Sequence, residues 1–369
     1  MNSVLNKVFV GPGNIAGSAM YVAKSLRIAK IDAKSFSYNA HPFGYPCDFE
    51  QILFTNPYAE LKNRYIFQKI IINRFSLRTI WAIQKLFLFI YAFIWYDTFI
   101  FISHETFFNN NKDLWLLKKF KKKIAFLFVG CPERAPMEII NKSDRGTCSF
   151  CVDKGMQEAL NCFNGNKKQN KISYISEHAN FIFSHRDTSS FIIDKRKIRP
   201  FYCISYSNLK IKDIYAKFQN LNRIVITHLP SNKLLKGTEN VERSISALKN
   251  LGYDIQYLSE RLKHSEVEKT LQKTHILIDQ FSVGNGLLGV EGMANGCVVI
   301  CRTAKWFRED FPDLPLVSCE PEELTKTLVD LLENPEKMLN IALKSFEYYK
   351  KFHTPEVVGN YYKKTLNLT

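Results

Sequence analysis

Asp279-Gln280-Phe281-Ser282-Val283-Gly284-Asn285-Gly286-Leu287-Leu288-Gly289-Val290-Glu291-Gly292-Met293-Ala294-Asn295-Gly296-Cys297-Val298-Val299-Ile300 carries strand, turn and helix signals in immediate succession. The apolar run Ile276 to Asp279 leads into a glycine-rich turn, a helix begins near Leu287, Gly296 can end it, and Val298 to Cys301 reads as the next strand. Strand, turn, helix and strand in that order form a βαβ unit, which implies a parallel sheet. Glycines allow a ligand close to the backbone, and amides near Asn285 to Leu288 open a helix amino terminus suited to phosphate oxygens. Glu291 falls about one turn into that helix, where its carboxylate either accepts hydrogen bonds from ribose hydroxyls or simply complements the helix dipole.

The alternation continues in both directions. Candidate strands are Val8 to Val10, Ala33 to Ser37, Phe99 to Ser103, Ile124 to Val129 and Phe181 to Ser184, then Arg223 to Thr227, Asp254 to Leu258, Ile276 to Asp279, Val298 to Cys301 and Leu316 to Ser318. A chain of 369 residues exceeds what one hydrophobic core usually serves, so two domains are expected. Arg199-Pro200 through Asn208 reads as a crossover, with the boundary near residues 203 to 212. Residues 1–205 then form one Rossmann-like domain, 206–345 a second, and 346–369 a helical tail that packs back on the first. Ser265 and Glu268 fit a capping box, and Asn161 to Lys171 reads as an exposed loop.

The composition, 46% hydrophobic and 23% charged, is that of a globular protein and excludes disordered and collagen-like chains. A net charge of +16 favours anionic partners. From Leu61 to Tyr96 there is no acidic residue, while Lys62, Arg64, Lys69, Arg74, Arg78 and Lys85 interleave with aromatic and aliphatic side chains. That pattern suits a helix lying on an anionic membrane surface, the alternative being a solvated basic face. The apolar run Leu86 to Tyr96 is too short to span a bilayer, and Met1 to Val10 lacks the apolar stretch of a signal peptide, so a cytoplasmic protein, peripheral on the inner face of the membrane, is expected. Nine irregularly spaced cysteines read as reduced thiols. Cys131, Cys148, Cys151 and Cys162 offer thiolates for a structural zinc ion, although one C-x2-C pair is half of a zinc signature and unligated thiols are the favoured reading.

Two further segments sit at strand ends. Gly11-Pro12-Gly13-Asn14-Ile15-Ala16-Gly17 joins the first strand to a helix, and its spacing departs from the dinucleotide fingerprint, so Gly13 and Asn14 are either loop or ligand contacts. His228-Leu229-Pro230-Ser231-Asn232-Lys233-Leu234-Leu235-Lys236-Gly237-Thr238 follows the strand Arg223 to Thr227 and precedes a helix from Thr238. A lysine there reaches a diphosphate in the crevice beyond the sheet, with Gly237 allowing close backbone approach. Truncation of an exposed lysine leaves the fold intact, so Lys236→Ala is expected to affect nucleotide binding alone.

The pair "HLPSNKLLKGT" and, roughly 40 residues later, "DQFSVGNGLLGVEGMANGCVVI" resembles the donor-site motifs of GT-B glycosyltransferases related to the large group 1, family 4-like enzymes. "VGPGNIAGSAMYVAKSLR" and "YDTFIFISHETFF" resemble that group's first domain. The resemblance implies an α/β GT-B fold, two Rossmann-like domains with a cleft between them. It implies a retaining transferase that takes a nucleoside-diphosphate sugar to a hydroxyl of a glycan or lipid-linked acceptor, in cell-surface polysaccharide or glycolipid biosynthesis, with no cofactor required for the chemistry. By residue it implies donor contacts at Asn232, Lys233, Lys236 and Gly237, at Gly284, Asn285, Gly286, Leu287 and Leu288, and at Glu291, with His104 beside the reacting sugar. Val283 stands where many relatives carry a glutamate, and Lys233 is the substitute for an arginine that often accompanies the lysine. The runner-up is a nucleotide-sugar epimerase of the same architecture. A basic nucleic-acid-binding protein fits the charge but lacks any nucleic-acid module, so no nucleic-acid partner is expected.

Overall fold

A computed structural model describes residues 6–50, 74–134, 148, 165–219, 221, 223–281 and 284–369. The chain divides into two compact units, one of Met1–Arg134, Asn164–Phe201 and Val358–Thr369, the other of Ala135–Phe163 and Tyr202–Val357.

The first unit carries β1 (Lys7–Val10), α1 (Ser18–Ile28), β2 (Asp32–Ser37), β3 (Phe49–Glu50), α2 (Arg74–Trp95), β4 (Thr98–Ile102), α3 (Asp113–Lys119), β5 (Lys123–Leu127), α4 (Gly165–His178), β6 (Phe181–Phe183) and β7 (Ile198–Arg199). Its strands form one parallel sheet in the order β3-β2-β1-β4-β5-β6-β7. All five residues of β4 are buried, as expected of a parallel strand covered on both faces. Phenylalanine fills this core: Phe9 stacks on Phe36 at 4.4 Å, and the edge of Phe107 meets Phe101 at 5.8 Å. Each such pair adds about 0.5–1.5 kcal/mol to the area it buries.

Two expectations change here. Asn161 to Lys171 is not all loop, because α4 begins at Gly165. Ile172 and Ile175 bury one face of α4, and Lys168 donates to the carbonyls of Cys131 and Arg134, so tertiary contacts override weak local propensity. Along α2, Leu88, Phe89 and Ala92 are buried while Ile83, Phe87, Ile90 and Ile94 are exposed, and Lys85 is on the buried side. Lys62, Arg64, Lys69 and the side chains of Arg74 and Arg78 lie outside the described residues. Among the described residues no helix is long and apolar enough to cross a membrane.

The second unit carries α5 (Ile211–Gln219), β8 (Ile224–Thr227), a single helical turn (Lys233–Lys236), α6 (Thr238–Asn250), β9 (Ile255–Leu258), α7 (His264–Lys273), β10 (Ile276–Ile278), α8 (Leu287–Ala294), β11 (Val298–Ile300), α9 (Lys305–Asp310), α10 (Leu324–Leu332) and α11 (Pro335–Phe352). Its parallel sheet runs β11-β10-β8-β9. Leu316 to Ser318 contributes only an isolated bridge between Val317 and Ile300. The capping box at α7 uses Glu266 rather than Glu268, its carboxylate accepting from the Lys263 amide at 3.0 Å. Gly292 lets α8 lie close on the sheet, since a Cβ there would sit 3.0 Å from Val299 Cγ2. Lys217 of α5 donates to the carbonyls of Thr274 and Asn295 at the ends of α7 and α8, a cation where the helix dipoles are negative.

In each sheet the chain runs outward in one direction and then crosses to the other. The reversal lies between β1 and β4 in the first unit and between β8 and β10 in the second. The carboxyl ends of strands at such a reversal are where open α/β sheets take ligands.

A final helix, α12 (Pro355–Thr365), enters the first unit from Val358 onward. Tyr362 presents its ring to Phe183 at 4.6 Å and Lys363 donates to the Ala29 carbonyl. A Cβ at Gly359 would overlap the Ser25 carbonyl oxygen of α1, a backbone atom that cannot rotate away. In an open helix Gly→Ala stabilises by about 1 kcal/mol. Here overpacking reverses the sign, and Gly359→Ala is expected to lower the urea-unfolding free energy by about 1–3 kcal/mol.

Candidate functional site

The second unit's reversal point is built by three short segments. After β8, Asn232 caps the turn Lys233–Lys236, its Oδ1 accepting from the amides of Leu234 and Leu235 at 3.1 Å each. Gly237, with φ 70°, ends that turn and lets α6 start at once. The turn aims Lys236 at Asp279, the residue after β10, and Lys236 Nζ donates to Asp279 Oδ1 at 2.7 Å. The other carboxylate oxygen, Oδ2, accepts from the Gly286 amide at 3.3 Å, at the amino terminus of α8. An ammonium and a helix amino terminus therefore converge on one anion, the fully buried carboxylate of Asp279.

The remaining residues expected from the sequence at this end of the sheet sort by position. Gly284, at φ 75°, turns the chain toward α8, and its carbonyl accepts from Gln280 Nε2 at 2.5 Å. Leu287 and Leu288 open α8 and belong to the first turn, whose amides have no intrahelical acceptor. Asn285 Oδ1 abuts Gly289, where any Cβ would collide with it. Glu291 is buried one turn along, 3.7 Å from His264 Nδ1. Lys233 is exposed at the start of its turn. Arg302, after β11, is held by Glu320 at 2.9 Å. Val283 and Ser282 lie outside the described residues. Sequence reading missed Asp279, which looked like a strand end. The signal available was an acidic residue at the carboxyl end of an otherwise apolar strand.

His228, which opens the second motif, is buried and structural. Its Nδ1 faces the Ile278 carbonyl at 2.9 Å, so Nδ1 carries the proton, and Nε2 accepts from the Thr238 hydroxyl at 2.9 Å. It thereby ties β8 to the end of β10 and the start of α6. Burial lowers its pKa from 6.5 to about 4, with the carbonyl of Ile278 and the nearby Asp279 opposing and Lys236 assisting.

At the first unit's reversal point, the loop after β1 meets the loop after β4. A Cβ at Gly13 would lie 2.9 Å from the Ile102 carbonyl oxygen and 3.1 Å from Glu105 Oε2, so glycine is required for this approach. Asn14 Nδ2 donates to Cys47 Sγ at 3.4 Å. Ser103 takes a left-handed φ of 60°, which presents His104 beyond the sheet. His104 Nδ1 lies 3.2 Å from Glu133 Oε1, and the Ser103 hydroxyl donates to the same oxygen. Glu133 is fully buried and accepts from the Gly130 amide through Oε2 at 3.2 Å, so it orients the imidazole as a fixed carboxylate partner. Of the zinc candidates, Cys151 and Cys162 lie outside the described residues, and Cys131 is exposed beside Arg134. Among the described residues no group of three or more His, Cys, Asp or Glu side chains is arranged to hold a metal.

No protein-family profile matches the sequence, and no curated protein sequence matches it. Solved structures do match it in three dimensions. HepE of Anabaena, in complex with UDP-glucose, aligns over 98% of this chain and 99% of its own at a TM-score of 0.57 and 14% identity. The sucrose-phosphate synthase of Thermosynechococcus elongatus aligns over 99% and 95% at 0.62 and 11%. A glycosyltransferase of Rickettsia africae aligns over 99% and 98% at 0.59 and 12%. The fold is thus the α/β GT-B fold, with one Rossmann-like parallel sheet in each unit.

The His228 environment sets a pH dependence. Unfolded histidine binds a proton below 6.5 and the folded residue only near 4, so this group's stabilisation is complete above 6.5 and is lost as pH falls toward 4. Between those limits wild-type unfolding free energy is expected to fall by about 3 kcal/mol more than that of His228→Gln. Asp113, raised to about 6 chiefly by burial, slopes the other way but is common to both proteins, so the difference isolates His228. Parallel pH profiles for the two would remove the assignment.

Proposed function

We propose that this chain is a glycosyltransferase that moves a sugar from a nucleoside-diphosphate sugar to a hydroxyl of a glycan or lipid-linked acceptor. The observation that carries the reading is the anion site at the β8–β10 reversal, where Lys236 and the amino terminus of α8 share the Asp279 carboxylate. These donors match phosphate as well as carboxylate. In this reading the donor diphosphate shares the Lys236 ammonium with Asp279 and takes the first-turn amides of Leu287 and Leu288, Asp279 keeps its bonds to Lys236 and the Gly286 amide, and Glu291 accepts from the ribose hydroxyls. HepE, which shares the fold, was solved with UDP-glucose, and this supports a nucleotide-sugar donor.

Departure of the nucleoside diphosphate leaves negative charge on its terminal phosphate. Lys236 and the helix amino terminus stabilise that charge more than the charge of the bound donor, which is the differential binding that accelerates a reaction. His104, oriented through Nδ1 by Glu133, offers Nε2 to a hydroxyl of the reacting sugar. Following the family resemblance, transfer retains the anomeric configuration, and product anomer identified by proton NMR tests this. A UDP-GlcNAc 2-epimerase of Neisseria meningitidis shares the fold at a TM-score of 0.51, so the epimerase reading stays as an alternative outcome. Such an enzyme converts donor with no acceptor present.

We place the protein at the inner face of the membrane, in cell-surface polysaccharide or glycolipid synthesis. Support comes from the exposed Ile83, Phe87, Ile90 and Ile94 of α2, and from Lys7 and Lys119, whose ammonium groups lie over the exposed rings of Trp95 and Trp115. Flotation with phosphatidylglycerol vesicles is expected to carry the wild type and to leave Phe87→Glu/Ile94→Glu behind. Equal flotation of both would reject this attachment.

The structure changes the choice of variant at Lys236. Lys236→Ala strands a buried carboxylate, a defect of about 3–5 kcal/mol, so it does not leave the fold untouched. The double variant Lys236→Met/Asp279→Asn removes both charges together. By isothermal titration calorimetry it is expected to bind uridine or guanosine diphosphate about 10–100-fold more weakly than wild type while keeping cooperative unfolding. Unchanged affinity would reject the assignment.

A further inference from the structure

A cavity of about 770 Å³ opens in the first unit beneath α2, lined by Trp81, Lys85, Phe108, Asn109, Asn110 and Lys112. That volume lies within the range of small-molecule sites, roughly 300–1,000 Å³. Its central feature is Lys85, which is 93% removed from solvent by its 7% exposure. The ammonium donates to Asn109 Oδ1 at 3.2 Å and otherwise faces aromatic rings, 3.7 Å from the centroid of Trp81 and 4.8 Å from that of Tyr38. Among the described residues no carboxylate comes within ion-pair distance of it. Glu105 and Asp113 act only at longer range, and desolvation outweighs them in lowering the Lys85 pKa. Asp113 is committed elsewhere, accepting from the Thr106 hydroxyl at 2.9 Å and the Phe107 amide at 3.2 Å.

A buried cation without a counter-charge is costly to fold, and ring faces offset only part of that cost. The cavity's side chains complete a description of what would offset the rest. Lys85 and Lys112 supply positive charge, Asn109 and Asn110 supply amide groups, and Trp81 with Phe108 supplies an apolar wall. We propose that this cavity binds a phosphate ester, with the phosphate on Lys85 and the organic part against Trp81 and Phe108. It lies on the first unit's own elements and shares no residue with the donor-side cluster. Within the glycosyltransferase reading, on which this assignment of role rests, the ligand is the acceptor. The link to the reaction is the loop itself, because Asn111 Nδ2 donates to the His104 carbonyl at 3.1 Å, one residue from Asn110.

The phosphate ester has two sources, a lipid phosphate or a soluble sugar phosphate. Calorimetric titration of the full chain, without donor, uses farnesyl phosphate, glucose 1-phosphate and farnesol as probes. Farnesyl phosphate is expected to bind saturably, at least tenfold more weakly to Lys85→Gln and to Trp81→Ala, and with affinity recovered in Lys85→Arg. Glucose 1-phosphate binding with the same Lys85 dependence would support the site and identify a soluble source. Binding of farnesol equal to that of farnesyl phosphate, or affinity for both phosphates unchanged in Lys85→Gln, would overturn the proposal. If Lys85→Gln does not fold, Lys112→Gln/Asn109→Ala carries the same expectation. Because no sugar transfer is measured, failure here leaves the donor-side reading standing. Conversely, phosphate binding by a protein that transfers no sugar would preserve the cavity and remove the enzyme reading.

Discussion

One buried carboxylate organises the carboxyl-end face of the second unit's sheet. Asp279 is joined on one oxygen by the Lys236 ammonium and on the other by the Gly286 amide. It draws the turn after β8 and the amino terminus of α8 to the same point. Without it, a half-buried lysine and a helix amino terminus would face each other as like partial charges. With it, they form a preformed cup for negative charge, close to neutral while empty. In the proposed function a phosphate entering this cup need not create the positive site; it shares the Lys236 ammonium with Asp279 and adds to amides the helix leaves free.

Sheet topology explains why such a cup forms there. Both units reverse their strand order once, and both reversals carry the polar groups of interest at strand carboxyl ends. In the second unit these are Lys236, Asp279 and Glu291. In the first they are His104 and Glu133, with the loops positioned by Gly13's approach to Ile102 and by the left-handed turn at Ser103. Apolar β-branched and aromatic side chains pack each sheet on both faces, which leaves the strand ends as the places where polar groups meet solvent and ligand.

Much of this was legible in the sequence because it is local. The short apolar strands, the glycine-rich turn before Leu287 and the helix start at Thr238 depend on residues a few positions apart. What escaped depends on distant partners. The pairing of Asp279 with Lys236 joins positions 43 residues apart, and nothing in either segment specifies it. Lys85 reads as one basic residue among several along α2, yet its helical phase turns it inward between Trp81 and Tyr38. The polar run before Lys171 has weak helix propensity, and the burial of Ile172 and Ile175 with the Lys168 contacts to Cys131 and Arg134 makes α4. Strands β3 and β7, two residues each at the sheet edges, are too short to show any period.

The central claim is that the cup around Asp279 receives the diphosphate of a nucleotide. A crystal structure of the full chain with uridine diphosphate tests it most directly. Phosphate oxygens are expected within hydrogen-bond distance of Lys236 Nζ and of the Leu287 and Leu288 amides, with ribose hydroxyls on Glu291. A nucleotide bound elsewhere, with no phosphate at Lys236 or at the start of α8, would contradict it.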